Sequence, residues 1–465
     1  MVVHPWLPNS PKEIKEEMLK TMNKSVNDLY SDVPSDLLLR RSLKVGLGRP
    51  LAEFEVKHIV DKLLDRNRLF KDPPPFLGGG GVCVHHVPSV VKEIIRRGEF
   101  LTTYTPYQAE ISQGLLQALF EYQSLIADLV ELEVVNASMY DWSTAVAEAF
   151  LMSIRVTKRN RILVPSTMNS EHYEVAKTIT YGKGVKIEKV GYDRETGFMD
   201  LEDLENKLRE GDVAAVYVEN PSFLGFIEEN VDAIGELAHK YGALYIVGVE
   251  PLSLGILKAP GSYGADIVVG EGQPLGLGLN YGGPLLGIFA VRWDRKLIRQ
   301  MPGRLIGLTT TIDGRDRAFA MILQTREQHI RRERATSNIT TNEALMAIAA
   351  AVYLSLLGKH GIRKLAEHVL YKANYASRML SKIPGVKAPL FRSKHFKEFT
   401  VGFTVEYSKL HKYLLSRGIH GGRYLKEFKE ELGECALFCV TEVHSKEHID
   451  KLINTIEEYM TMLER

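Results

Sequence analysis

The stretch Ala243-Leu244-Tyr245-Ile246-Val247-Gly248-Val249-Glu250-Pro251 is apolar at consecutive positions and then meets a carboxylate and a proline. A strand that is apolar on both faces belongs inside a sheet covered on both sides. The same reading holds for residues 161–164, 214–218, 266–269 and 287–291, and residues 185–190 are a further strand candidate. Between these runs lie helical patterns at residues 144–157, 171–180, 201–209 and 231–241. Strands that alternate with helices of this length make a mostly parallel sheet. The expected fold class is therefore α/β.

Outward from this centre the rhythm changes twice. Residues 1–110 read as an N-terminal helical arm, with helices at 12–22, 51–67 and 88–97. Ser10, Pro11 and Glu13 suit the start of the first of these. Residues 111–339 read as the large α/β domain. Residues 340–465 read as a smaller α+β domain, opened by a capping box of Thr340 and Glu343 ahead of a long apolar helix to Gly358. Further helices are expected through Leu380, at 413–417 and at 447–462, with strands at 399–405 and 436–441. The run Gly78-Gly79-Gly80-Gly81 lacks the Gly-Lys-Ser/Thr of a phosphate loop and reads as a close-packed or flexible turn.

Bulk properties exclude several classes. The chain has 465 residues, 59 Lys plus Arg against 58 Asp plus Glu, and a net charge of +1. That balance argues against a nucleic-acid surface. The longest apolar run, residues 345–357, is shorter than the roughly 18 residues of a membrane crossing, so no membrane span is expected. Three cysteines, Cys83, Cys435 and Cys439, read as reduced thiols in a cytoplasmic protein, with no metal site. Cys435 and Cys439 bracket three residues, but only His444 stands near as a further ligand.

The order of large α/β domain, small C-terminal domain and N-terminal arm is also that of pyridoxal-phosphate-dependent transferases of fold type I, the aspartate-aminotransferase-like class. Such a site needs a helix N-terminus for the phosphate, an acid at a strand end for the ring nitrogen, and a lysine for the aldehyde. Asn136-Ala137-Ser138-Met139-Tyr140-Asp141-Trp142-Ser143-Thr144 can supply the first, although simple capping by Ser143 or Thr144 explains it equally. Glu250 stands where the acid belongs. No lysine follows Gly270-Glu271-Gly272-Gln273-Pro274 before Lys296, and Lys258 sits upstream in a loop.

Long strings carry a closer likeness. Glu99-Phe100-Leu101-Thr102-Thr103-Tyr104-Thr105-Pro106-Tyr107-Gln108-Ala109-Glu110-Ile111-Ser112-Gln113-Gly114, Tyr281-Gly282-Gly283-Pro284 and Arg326-Glu327-Gln328-His329-Ile330-Arg331-Arg332 through Asn342 resemble the alpha chains of the glycine cleavage system P-protein family. The likeness runs from His85-His86-Val87-Pro88 to the C-terminal domain. It implies a heterotetramer of alpha and beta chains. In that family the pair decarboxylates glycine on pyridoxal phosphate held by the beta chain and passes the aminomethyl group to the lipoyl arm of the H-protein. Counting back from Pro284 puts Gln273 at the beta chain's lysine position, so no catalytic residue and no covalent cofactor are expected here. An amide forms no imine. Tyr104, Thr105, Tyr107, Gln108 and Glu110 then become candidates for lining the beta pocket across an interface, or for a rigid turn fixed by Pro106. Ser138, His172, Glu250 and Gln273 become a vestigial pocket, with His172 read first as a helix-start polar residue. Arg326, Arg331 and Arg332 read as an anion site or as a solvated helix face. Two other readings stand beside this one: a free-standing pyridoxal-phosphate enzyme using Lys258, and a purely structural scaffold.

Overall fold

The computed structural model describes residues 3, 4, 6–39, 41, 45–339, 343–427 and 429–463. It divides into two compact units, residues 1–69 and residues 70–465. The first unit holds helices Lys12–Thr21 and Glu53–Leu64, and neither buries a residue among those described. The first helix starts after Pro11 with no side-chain cap. Ser10 exchanges hydrogen bonds with His4 instead, so the expected capping box does not form.

Among the described residues, the second unit is built on nine strands followed by four. The first nine are β1 (Val134–Val135), β2 (Arg161–Pro165), β3 (Lys186–Val190), β4 (Val213–Asn220), β5 (Leu244–Val249), β6 (Ile267–Glu271), β7 (Gly287–Val291), β8 (Leu305–Thr310) and β9 (Arg317–Ile322). The large sheet has the order β1-β7-β6-β5-β4-β2-β3. Its core is parallel, and β7 runs antiparallel to both of its neighbours. All eight residues of β4 and all five of β6 are buried. Their two faces feed two cores, one around Tyr122, Val216 and Val268, the other around Phe150, Tyr217 and Phe289. This is the outcome that unbroken apolar runs dictate.

β8 and β9 form a separate hairpin that the strand patterns of the sequence do not announce. It is fastened to helix Gln113–Val130 by two glutamines acting as strand backbone. Gln113 accepts from the Phe319 amide at 2.9 Å and donates to its carbonyl at 2.9 Å. Gln123 does the same with Ile306 at 3.0 and 2.9 Å.

The remaining strands are β10 (Val386–Lys387), β11 (Glu398–Phe403), β12 (Arg423–Tyr424) and β13 (Cys435–Cys439), in the antiparallel order β10-β11-β13-β12. Their core gathers Phe399, Val401, Leu410, Phe438 and Leu452. Helix Ala344–Leu380 joins this sheet to the large one and breaks at Gly358, whose φ of 57° suits glycine. By length and composition alone it could cross a membrane, but half of its most apolar window is buried among the cores. The capping box expected before it falls on Thr340, outside the described residues.

Candidate functional site

In open α/β sheets ligands bind beyond the carboxyl ends of the strands. Here that rim carries Asn169 after β2, Glu219 and Asn220 at the end of β4, Glu250 after β5 and Glu271 at the end of β6. The helix Trp142–Thr157 points its N-terminus at the same place. Asp141 is its N-cap, accepting from the Thr144 amide at 2.7 Å, and the Thr144 hydroxyl completes a capping box by accepting from the Asp141 amide at 3.2 Å, so the expected capping by Thr144 is shared with the carboxylate before it.

Glu250 is buried, and its partner is a lysine that arrives from the other sheet. Lys397, 1% exposed, places Nζ 3.0 Å from the Glu250 carboxylate. The same ammonium donates to the Gly81 carbonyl at 3.2 Å and meets His85 Nε2 at 3.1 Å. An ammonium has three protons, and all three are used. His85 continues the chain: Nδ1 lies 2.9 Å from Glu442, which also accepts from the His86 amide at 2.6 Å. Burial, then the Lys397 charge, hold the His85 pKa below its ordinary value. The neutral ring donates through Nδ1 to Glu442 and accepts through Nε2 from Lys397. Burial opposes the Glu442 charge, but hydrogen bonds from His85 and the His86 amide hold its carboxyl below the ordinary value.

The anion end of the site is also filled from within. Glu271 accepts from the Trp142 amide at 3.3 Å, in the first turn of the helix at which a phosphate would sit. It further accepts from the Gln273 amide at 3.0 Å and the Leu286 amide at 3.1 Å. Burial pushes its carboxyl up to about 8. Gln273 is fully buried. Its amide oxygen accepts from the Cys83 N–H at 3.2 Å, and its amide nitrogen donates to the Leu277 carbonyl at 2.9 Å.

The backbone of residues 78–81 packs into this rim against Asn169, His172 and Trp142. A Cβ on Gly80 would sit 2.8 Å from Asn169 Nδ2 and 3.0 Å from His172 Nε2, and one on Gly81 would sit 3.3 Å from the Trp142 ring. The His172 ring rests tilted on Trp142 at 5.0 Å and faces Glu219 at 3.5 Å. The cavity left among Gly80, Gly81, Trp142, His172, Glu250 and Lys397 is about 10 Å³. That holds at most a water, against the hundreds of Å³ a bound organic ligand needs. The residues present therefore do not fit pyridoxal phosphate. Ser138 is buried away from this cavity's wall, and its hydroxyl has no hydrogen-bond partner among the described residues.

The segment at residues 104–110 has the opposite character. Tyr104, Tyr107, Gln108 and Glu110 are exposed, Thr105 is half-buried, and Pro106 is buried beneath them. Tyr107 is held in place. Its hydroxyl accepts from Arg304 at 3.1 Å, the guanidinium lies 4.9 Å from its ring, and His329 packs edge-on at 5.3 Å. Arg304 is fixed in turn by Glu327 at 2.9 Å.

One alternative falls and two expectations are corrected. Lys258 is an exposed residue paired with Asp232 at 2.9 Å, on the surface rather than at the strand ends. Arg326 is buried, donating to the carbonyls of Met301, Gly303 and Leu323, and is no solvated helix face. Cys83 and Cys439 form a disulfide, leaving Cys435 as the free, buried thiol. The partners are 356 residues apart, so spacing could not pair them. Sequence reading also missed Lys397, His85, Glu271 and Glu442. The one signal was Glu271, two residues before Gln273 at a strand end.

The family model described as Glycine cleavage system P-protein matches residues 4–456. A relative from Aeropyrum pernix, named probable glycine dehydrogenase (decarboxylating) subunit 1, is 59% identical over 98% of this chain and 99% of its own length. The crystal structure of a glycine decarboxylase (P-protein) of the glycine cleavage system in inhibitor-bound form is 39% identical, with a TM-score of 0.86 over 98% of this chain and all of that one. A sphingosine-1-phosphate lyase from Burkholderia pseudomallei shares the fold at 12% identity and a TM-score of 0.66, over 90% of this chain and 93% of that one.

Proposed function

The chain belongs to the glycine cleavage system P-protein family and is a subunit of a glycine decarboxylase of fold type I, and from that premise we propose that it is the alpha chain, which completes a partner's active site and performs no cofactor chemistry of its own. The observation that supports this is the filled rim: Lys397, Glu271 and residues 78–81 take up the space beyond the carboxyl ends of the strands, and among the described residues no amine there is free to take an aldehyde. In this reading the second subunit holds pyridoxal phosphate, glycine loses its carboxylate there, and the aminomethyl group passes to the lipoyl arm of the H-protein. Two such pairs form the heterotetramer.

What this chain contributes is surface. Tyr104, Thr105, Tyr107, Gln108 and Glu110 line the partner's pocket from across the interface. Arg304 and His329 hold the Tyr107 phenol in one orientation before the partner arrives. A group positioned in advance loses no freedom at the reacting step, which is where such residues gain their effect.

The test is reconstitution. Each subunit alone should show no glycine-dependent exchange of labelled carbon dioxide in the presence of H-protein, and the mixture should show it. Tyr107→Phe and Glu110→Gln should each lower the exchange rate by about tenfold or more while sizing chromatography still shows the complex. Full activity of the second subunit alone would overturn the reading. Unchanged turnover in both variants would leave this chain a scaffold only.

A further inference from the structure

We propose that this chain carries its own internal replacement for the cofactor, with the Lys397 ammonium taking the position of a protonated ring against Glu250 and the Glu271 carboxyl taking that of the phosphate at the helix start. This rests on the alpha-chain reading and deepens it. A chain without the Schiff-base lysine could still admit the cofactor non-covalently. The geometry here excludes that as well.

Three independent features carry it. The first is charge matching. A strand-end carboxylate that would otherwise face a ring nitrogen is a buried anion, and a buried anion without a partner is costly. Lys397 meets it at 3.0 Å with every proton engaged, so the anion is neutralised from within. The second is the anion cradle. The amide of Trp142 and those of Gln273 and Leu286 converge on Glu271, and no phosphate could displace it without leaving a buried acid behind. The third is volume. Residues 78–81 approach His172, Asn169 and Trp142 so closely that even a methyl group at Gly80 clashes.

The substitute also reaches where a cofactor would not. Lys397 immediately precedes β11 of the small sheet, Glu250 follows β5 of the large sheet, and Gly81 and His85 belong to the segment before the first of these strands. One ammonium thus ties three separate parts of the chain together. In this subunit the two sheets are clamped by a residue rather than by a ligand.

The test uses the full-length chain without its partner. Trp142 lies in the pocket wall, so its fluorescence reports any ring that enters. Titration with pyridoxal phosphate should give no saturable quenching, and borohydride treatment of Gln273→Lys should fix no pyridoxyl group at position 273. Saturable one-to-one binding by the unaltered chain, or stoichiometric labelling at 273, would overturn the proposal. The clamp is tested separately. Lys397→Met strands Glu250 and should lower the melting temperature by about 5 °C or more. Lys397→Met with Glu250→Gln removes both charges and should melt higher than the single variant. A double variant no more stable than the single one would overturn the pairing. Should the single variant not fold, recovery of a cooperative melt in the double variant supports the pairing, and its failure to recover overturns it. The chain could fail here by binding cofactor and still support carbon dioxide exchange with its partner, so the two readings fall separately.

Discussion

Glu271 shows how far one buried carboxyl departs from its ordinary behaviour. It lies 1% exposed, accepts three backbone N–H groups, and is still pushed up to about 8 because burial outweighs them. Asp141, at the helix start, adds like charge, and the Tyr122 phenol lies near enough to feel the carboxylate. The folded chain therefore binds this proton more tightly than the unfolded chain, whose glutamate titrates near 4.5. Stability from this group is complete below that value and is lost as pH rises through about 8. Glu398, pushed up to about 7 by burial, acts in the same direction. Glu271→Gln keeps a neutral acceptor in place, so it should raise stability at pH 9 by about 3 kcal/mol and flatten the decline between pH 5 and 9. Thermal melts of both proteins across that range check it, and parallel pH profiles would refute it. At this scale the sequence is legible only in part. Glu250 and Gln273 announce themselves at strand ends, where a motif argument looks for them. Lys397 does not, since its meaning depends on a contact with residue 250 that no local pattern encodes.

Elements are more legible than residues. The buried strands of the large sheet are continuous apolar runs, and helix Leu201–Arg209 and strand β7 fall at the residues their patterns indicate. The hairpin of β8 and β9 escapes such reading because its order comes from the side chains of Gln113 and Gln123 on a distant helix rather than from its own alternation. The glycine run lacks phosphate-loop chemistry in sequence, and its packing explains why glycine is needed. Gly80 adopts φ of 63°, and its α-carbon faces Asn169 and His172 with no room for a methyl group. Gly80→Ala combines left-handed strain with that clash and should cost about 1–3 kcal/mol. Gly182, with nothing within 4 Å of its would-be Cβ, is the control, and its alanine variant should change stability by less than about 0.5 kcal/mol. Equal denaturation midpoints for the two variants would show that residues 78–81 are not a packed plug.

Across residues 70–465, two neighbouring links tie together parts of the chain that are far apart in sequence. One is the Lys397 ammonium. The other is the disulfide from Cys83, beside the plug, to Cys439 at the end of β13, spanning 356 residues. The two are close neighbours: Cys83 Sγ lies 3.8 Å from Glu398, the residue after Lys397, and the Cys83 amide donates to Gln273. A cross-link closing so long a loop removes much freedom from the unfolded chain, worth about 3–5 kcal/mol when the native state is unstrained. The bond also fixes the plug segment against the small sheet, so its loss should be felt at the plug before the outer helices. Reduction with a dithiol should lower the melting temperature, and Cys439→Ser should reproduce the reduced value and be insensitive to the reagent. Amide hydrogen exchange should then quicken at residues 78–85 ahead of the core of β4 and β6, since local opening begins where few buried contacts remain. Identical melts for oxidised and reduced chain, with thiol titration confirming the two states, would show that the clamp is held by the charged network and packing alone.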